Sequence, residues 1–124
     1  MPKAIVIDDS RAIRMILANT LNELGYQVCQ AANGKEGLAT VNQENGSISL
    51  ILVDWNMPEM NGLDFIKNLR LDPRFTSVPL MVVTTETEAT QVMAAIEAGA
   101  NEYVMKPFTK EIIADKLRLM GVIQ

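Results

Sequence analysis

Charged and hydroxyl side chains follow short apolar runs of this chain, at the points where those runs end. Asp8 and Asp9 follow the first run, Asp54 ends the third, Thr84 ends the fourth and Lys106 follows the last. An apolar run closed by a turn is typical of a buried strand, and the carboxyl ends of parallel strands meet at the edge of a sheet where ligands bind. We therefore expect these five side chains to lie in one crevice.

Charge determines the chemistry that this crevice can support. Three carboxylates a few ångströms apart repel each other, with a pairwise energy of roughly 3 to 4 kcal/mol at an effective dielectric of about 20, so the site favours a cation or takes up a proton. Oxygen ligands suit Mg²⁺, and Mg²⁺ together with the Lys106 ammonium balances three negative charges. Such a site can receive a phosphoryl group. Asp54 can then serve either as a ligand or as the nucleophile that forms an aspartyl phosphate.

Each of these residues also has a simpler interpretation. The segment Asp8–Ser10 can cap the next helix, and Asp54 can be an ordinary turn residue. Thr84 can be a β-branched strand residue, and Lys106 can be a solvated surface charge. Only their coincidence at one edge of the sheet favours a functional site over these separate roles.

The rest of the chain alternates strand patterns with amphipathic helix patterns. The predicted strands span residues 4–7, 27–31, 50–53, 78–84 and 103–105, and the predicted helices span residues 11–24, 35–42, 62–71, 92–98 and 110–120. Apolar positions at helical spacing are expected to face inward. They are Ile13, Ile16, Leu17, Leu21 and Leu24, then Val92, Ala95 and Ile96, and finally Ile112, Ile113, Leu117 and Met120. With right-handed crossovers, this alternation predicts a single α/β domain, a doubly wound (βα)5 sandwich around a five-stranded parallel sheet.

Composition narrows the classes of function. The chain has 11 basic and 15 acidic residues, a net charge of -4 and no histidine. Without a basic cluster we expect no direct binding to nucleic acid, and without histidine no imidazole metal site. Apolar runs of about five residues are too short for a membrane span, and the amino terminus lacks the pattern of a signal peptide, so we expect a cytoplasmic protein that does not bind membranes. Cys29, the single cysteine, is interpreted as a small core residue.

The full set of motifs resembles the receiver domain of two-component response regulators. The motifs are the acidic pair at residues 8–9, Asp54 with the Met57–Gly62 loop, Thr84 after two valines, Ala98-Gly99-Ala100 and Lys106-Pro107-Phe108. Within that family the chain is most similar to the stand-alone chemotaxis regulators of the CheY type. The resemblance covers residues 1–124 and implies one receiver domain without an output domain. It also implies the flavodoxin-like strand order 2-1-3-4-5, which is already known for that regulator.

The resemblance implies a chemical role for each site residue. Asp54 would accept a phosphoryl group from a sensor histidine kinase or a histidine phosphotransfer protein. Asp9 and Asp54 would bind Mg²⁺ directly, Asp8 would chiefly position metal-bound water, and the main-chain carbonyl of Asn56 would add a ligand. Lys106 would pair with a phosphoryl oxygen, and its bond to the following proline is expected to be cis.

The resemblance also implies a conformational switch. Thr84 would move its hydroxyl toward the phosphoryl group, and Tyr103 would turn into the vacated space. The change would reach a partner-binding face on the fourth helix, fifth strand and fifth helix. We expect that face to include Glu88, Ala89, Val92, Tyr103 and Lys116.

Two positions resemble those that tune the lifetime of the phosphoryl group, and others depart from the family pattern. Asn56 and Glu86 flank the path of the attacking water, and this pair predicts a short-lived phosphoryl state. Thr85 stands where a small residue is usual, and its branched side chain would either narrow access to the site or restrain the switching motion. Glu88 and Ala89 replace a basic pair of the chemotaxis regulators, so the expected partner face is less positive.

These observations predict a phosphoacceptor switch whose only activities are its own phosphorylation and dephosphorylation, rather than an enzyme. One alternative is a phosphorelay shuttle or phosphate sink outside chemotaxis. Another is a Mg²⁺-dependent phosphohydrolase with Asp54 as nucleophile, although no insertion is long enough for a substrate cap. Flavin binding is disfavoured because two aspartates after the first strand would repel an anionic cofactor.

Overall fold

Strands and helices alternate through the computed structural model, which describes residues 2–44, 47–85 and 89–124, with only the main chain of Ala89. The strands are β1 (Lys3–Ile7), β2 (Gln27–Ala31), β3 (Ile48–Asp54), β4 (Leu80–Thr84) and β5 (Glu102–Met105). The helices are α1 (Arg11–Glu23), α2 (Gly34–Glu44), α3 (Gly62–Leu71), α4 (Ala89–Ala98) and α5 (Lys110–Leu119). A short 3-10 helix covers Pro73–Phe75.

The strands form one parallel sheet in the order β2-β1-β3-β4-β5. This confirms the predicted fold class and the strand order that the family resemblance implied. Strand β3 lies in the middle of the sheet, between β1 and β4, and β5 forms one edge. The residue that ends β3 is therefore at the centre of the carboxyl edge.

Successive residues of a strand point to opposite faces of the sheet, and each face has its own core. Ile5 and Ile7 of β1 pack with buried side chains of α2, α3 and α4, such as Phe65. Val6 of β1 packs on the other face with buried side chains of α1 and α5, such as Leu17. Because both faces are covered, the central strands are fixed in register and their ends are held in place.

Capping side chains fix the starts of three helices next to the carboxyl edge of the sheet. The Ser10 hydroxyl accepts a hydrogen bond from the main-chain nitrogen of Ile13 at 3.3 Å and starts α1 directly after Asp9. Asn61 and Thr109 cap α3 and α5 in the same way. Each cap satisfies a main-chain donor that the first turn leaves unpaired, and so determines where the preceding loop ends.

Three residues that the helical spacing placed in the core are exposed. The exposed fractions are 51% for Ile16, 41% for Ile96 and 42% for Ile112. Each one adjoins a position that is buried, namely Leu17, Ala95 and Ile113. Because consecutive residues on a helix are about 100° apart, burying one of them turns its neighbour toward the flank. The prediction was wrong at these positions because it made the apolar stripe too wide.

The start of β4 also differs from the prediction, at Leu80 rather than residue 78. Pro79 has no main-chain N–H and cannot donate to a neighbouring strand, although its carbonyl accepts from Ile51 at 2.9 Å.

Cys29 is only partly buried, and its Sγ lies 3.6 Å from a carboxylate oxygen of Glu44. Among the described residues, every helix is too short or too polar to cross a bilayer.

Glu59, in the loop between β3 and α3, has a φ of 66°. This is the left-handed region, which residues other than glycine, asparagine and aspartate rarely adopt. We expect Glu59→Asn to raise the free energy of unfolding by about 0.5–1 kcal/mol, because asparagine adopts this conformation at lower cost. Urea denaturation measures the change. The same substitution at the exposed Glu111, in the first turn of α5, should lower stability instead, since asparagine is the poorer helix former and removes a favourable negative charge from the helix start. Equal effects at the two positions would contradict the explanation.

Candidate functional site

Asp54 is the last residue of β3 and lies at the centre of the carboxyl edge of the sheet. Only 5% of its surface is exposed. The main chain remains tied to the sheet one residue further on, where the nitrogen of Trp55 donates to the carbonyl of Val83 at 3.1 Å. The Asp54 carboxylate is therefore held at the base of a crevice by strands on both sides.

Asp8 and Asp9, which follow β1, bring two more carboxylates to Asp54. One oxygen from each of the three side chains lies within 4.8 Å of the other two. Asp8 is fully buried, and its Oδ1 accepts a hydrogen bond from the main-chain nitrogen of Ser10 at 2.8 Å. Asp9 is exposed and forms the open side of the group. Three carboxylates with one side open to solvent provide the oxygen ligands that Mg²⁺ prefers, and they leave room for the waters that it retains.

Lys106, which follows β5, brings a positive charge to the same group. Its Nζ lies 3.1 Å from Asp8 Oδ2 and 3.5 Å from Asp54 Oδ1. Its main-chain nitrogen donates to the carbonyl of Thr84 at 2.8 Å, and its bond to Pro107 is cis, as the resemblance implied. The structure thus brings together side chains from the ends of β1, β3 and β5.

Burial raises the pKa of Asp54 from its ordinary value of 3.8 to about 6. The negative charge of Asp8 is the next largest cause, and the Lys106 ammonium opposes both. A hydrogen bond shared with Asp9 raises the pKa further. One lysine therefore does not compensate for three carboxylates, and the site gains free energy when it binds a proton or a cation.

The loop between β3 and α3 folds back onto Asp54, and Gly62 makes that approach possible. The nitrogen of Gly62 donates to the carbonyl of Trp55 at 3.0 Å. A Cβ at position 62 would lie 2.4 Å from the main-chain oxygen of Asp54, closer than any side chain can come. The loop carries Asn56, which is exposed two residues after Asp54. A glycine is therefore required at position 62 for the loop to lie this close to the main chain of Asp54.

Thr84 and Tyr103 lie on the two strands beside β3. Thr84 ends β4 with 4% of its surface exposed, and Tyr103 is half-buried on β5. Both line one small cavity, together with Val92 of α4. The Lys116 ammonium lies 4.6 Å from the centre of the Tyr103 ring and 3.4 Å from a carboxylate oxygen of Glu102. Four residues that were expected to act in switching or partner binding are thus close to one another, namely Thr84, Val92, Tyr103 and Lys116.

Other residues that the sequence singled out are not described to the same extent. Glu86, Glu88 and the side chain of Ala89 lie outside the described residues. Thr85 is described and exposed. The expected effects of these residues on phosphoryl lifetime and partner charge therefore stay predictions.

Two polar residues with contacts at the site were missed by the sequence analysis. Arg14 of α1 donates through Nη1 to the main-chain carbonyl of Asp8 at 2.7 Å. Gln91 of α4 accepts a hydrogen bond from the indole nitrogen of Trp55 at 2.8 Å. The sequence pattern did indicate that Gln91 lies on the inward side of its helix, because it precedes Ala95, which is buried, by one helical turn. A polar side chain on an inward stripe requires a partner.

Comparisons with known proteins show which family the chain is similar to. The family model for the response regulator receiver domain matches residues 4–118. The chain is 42% identical over 119 residues to the chemotaxis protein CheY1 of Helicobacter pylori, a match that covers 95% of each chain. It is 41% identical over 118 residues to a chemotaxis protein CheY homolog of Campylobacter jejuni, covering 93% of this chain and 88% of that protein. The solved structure of the chemotaxis response regulator CheY4 of Vibrio cholerae superposes with a TM-score of 0.88 at 33% identity, over 99% of both chains.

The raised pKa of Asp54, about 6, gives a prediction for stability. The folded state binds a proton on the Asp54 carboxylate more tightly than the unfolded state does, so the ionised carboxylate lowers the free energy of unfolding. This cost is fully present above pH 6 and disappears as the pH falls toward 4. We expect Asp54→Asn to raise the free energy of unfolding by about 1–3 kcal/mol at pH 7 in the presence of a chelator. The gain should shrink between pH 7 and pH 5 in urea denaturation.

Asp64→Asn is the matched control, because Asp64 is an exposed carboxylate in the first turn of α3. Its effect should stay within about 0.5 kcal/mol at both pH values. A destabilised Asp54→Asn protein at pH 7 would contradict the electrostatic account of the site.

Proposed function

The chain belongs to the family of response regulator receiver domains, and on that premise we propose that it is a phosphorylation-controlled switch of two-component signalling. The observation that carries the proposal is the convergence of Asp8, Asp9 and Asp54 within 4.8 Å, with Lys106 in contact with two of them. A carboxylate among cations is a suitable phosphoryl acceptor, since phosphoryl transfer depends mainly on positioning and on positive charge around the phosphoryl oxygens.

Asp9 and Asp54 would hold Mg²⁺ directly, Asp8 would chiefly position metal-bound water, and the main-chain carbonyl of Asn56 would add a further ligand. Bound Mg²⁺ supplies positive charge that offsets the carboxylates and the phosphoryl oxygens. The acidic group fits this ion because all its donors are oxygens and because its charge is only partly balanced by Lys106. Asp8 acts chiefly through metal-bound water, as a buried residue whose Oδ1 and Oδ2 are engaged by Ser10 and Lys106.

Asp54 performs the covalent step. One of its carboxylate oxygens attacks the phosphorus of a phosphohistidine on a sensor kinase or a phosphotransfer protein. The oxygen–phosphorus bond forms, the phosphorus–nitrogen bond breaks, and the imidazole leaves with the electron pair and takes up a proton. Lys106 pairs with a phosphoryl oxygen. Later, a water attacks the same phosphorus, the bond to Asp54 breaks, and the carboxylate and inorganic phosphate are released.

Phosphorylation then alters a protein-binding face. Thr84 turns its hydroxyl toward the phosphoryl group, and Tyr103 moves into the space that Thr84 leaves. The cavity that both residues line, with Val92 of α4, supports this coupling because the two side chains already share a boundary. The face formed by α4, β5 and α5 changes as a result and is read by a downstream protein. The chemotaxis relatives favour a chemotaxis-type pathway over a relay shuttle or a phosphate sink.

A small phosphodonor such as acetyl phosphate tests the covalent step. With Mg²⁺, we expect the intact mass to rise by one phosphoryl group and the fluorescence of Trp55, the single tryptophan, to change transiently. Asp54→Asn should abolish both responses, whereas Asp64→Asn should retain them, because Asp64 lies outside the acidic group. Steady hydrolysis of phosphomonoesters without a phosphorylated protein would instead indicate a phosphohydrolase.

The lifetime of the phosphoryl group tests the roles of Asn56 and Glu86. If these side chains guide the attacking water, replacing both by alanine should lengthen the half-life by about tenfold, equivalent to about 1.4 kcal/mol of lost transition-state stabilisation. Loss of the phosphorylated mass after removal of the donor measures the half-life. An unchanged half-life would show that neither side chain has this role.

A further inference from the structure

A hydrogen bond connects α4 directly to the residue after Asp54. The indole nitrogen of Trp55 donates to the side-chain oxygen of Gln91 at 2.8 Å. Trp55 continues the chain from the phosphoacceptor, and Gln91 lies in the first turns of α4. This contact therefore joins the site to the helix by a route that does not pass through Thr84.

The Trp55 end of this bond is fixed. The side chain belongs to the core between the sheet and helices α2, α3 and α4, and 8% of the residue is exposed. Its main chain is held by Val83 and by Gly62, at 3.1 Å and 3.0 Å. Gln91, in contrast, is half-buried on a helix that borders the surface. If the two groups separate, the displacement must occur on the α4 side.

The two side chains also form walls of the small cavity beside Thr84 and Tyr103. Its volume is about 10 Å³, which is space for one water at most. A phenol ring needs far more room than this, and more than a threonine side chain vacates, so an inward turn of Tyr103 requires the walls to move apart as well. The contact between Trp55 and Gln91 is 2.8 Å long and a hydrogen bond weakens beyond about 3.2 Å, so an outward shift of α4 by more than about 0.4 Å weakens or breaks it.

We propose that the hydrogen bond between Trp55 and Gln91 is a latch that holds α4 in its resting position and opposes activation. The proposal rests on the proposed function and adds a residue that sets how readily the switch operates. A contact that is made in one state and lost in the other lowers the affinity for any ligand that favours the second state, by the free energy of that contact. Removing the latch should therefore tighten binding of an activating ligand without altering the acidic group.

Beryllium fluoride is the probe, because it binds a carboxylate as a mimic of the phosphoryl group. Its affinity is measured by titration calorimetry at saturating Mg²⁺, since the fluorescence of Trp55 would respond to the substitutions themselves. We expect Gln91→Met, which removes the acceptor at similar length, to bind the probe about fivefold more tightly than the unmodified protein. The affinity for Mg²⁺ alone should be unchanged.

Two variants serve as controls. Gln91→Glu keeps an acceptor oxygen for the indole and makes a stronger, charge-assisted bond, so it should bind the probe no more tightly than the unmodified protein. Gln43→Met makes the same chemical change at an exposed position of α2 and should have no effect. Gln91→Leu also removes the acceptor and should tighten binding as Gln91→Met does, which keeps the test valid if Gln91→Met fails to fold.

The outcomes separate the latch from the function on which it rests. The proposal is wrong if the unmodified protein binds beryllium fluoride and Gln91→Met binds it equally or more weakly. In that case the movement of Thr84 alone makes room for Tyr103. An equal tightening in Gln91→Glu would also overturn it, because the acceptor is retained there. If the unmodified protein does not bind the probe with Mg²⁺, both the proposed function and the latch fail.

Discussion

Electrostatic repulsion among three carboxylates at one edge of a parallel sheet is the constraint on which the rest of the site depends. Asp8, Asp9 and Asp54 are held within 4.8 Å of one another by strands that are themselves covered on both faces. The chain cannot relieve the repulsion by moving them apart, because the side chains follow β1 and β3 in fixed register. Lys106 reduces the excess negative charge without removing it, so the chemistry of this site suits a cation.

The elements around the acidic group maintain this arrangement in different ways. The cores on the two faces of the sheet fix the strand ends, and the Ser10 cap starts α1 directly after the acidic pair. Gly62 lets the β3–α3 loop approach the main chain of Asp54 closely. Favourable apolar burial at about 25 cal/mol per Å² thus stabilises an unfavourable cluster of charge, which is common where proteins bind metals or carry out chemistry.

The fold class and the convergence of the acidic group could be predicted from the sequence, because apolar runs and the residues that end them are local properties, whereas the strand order came from the family resemblance. The sequence was less reliable where burial depends on the neighbouring layer. Ile16, Ile96 and Ile112 are as apolar as their buried neighbours, and only packing decides which side of each helix turns inward. The helical spacing indicated that Gln91 needs a partner, but not that the partner is Trp55, which lies 36 positions away in the sequence.

The position of β5 at the edge of the sheet limits how strongly a switch of this kind can respond. Asp54 and Tyr103 are separated by one intervening strand, a span of two strand spacings or roughly 10 Å. Coupling energies between two sites of one protein are typically about 1–3 kcal/mol. The proposed switch would therefore shift populations about 5- to 150-fold rather than completely. Its output would be graded, with some molecules in the active arrangement before any phosphoryl group arrives.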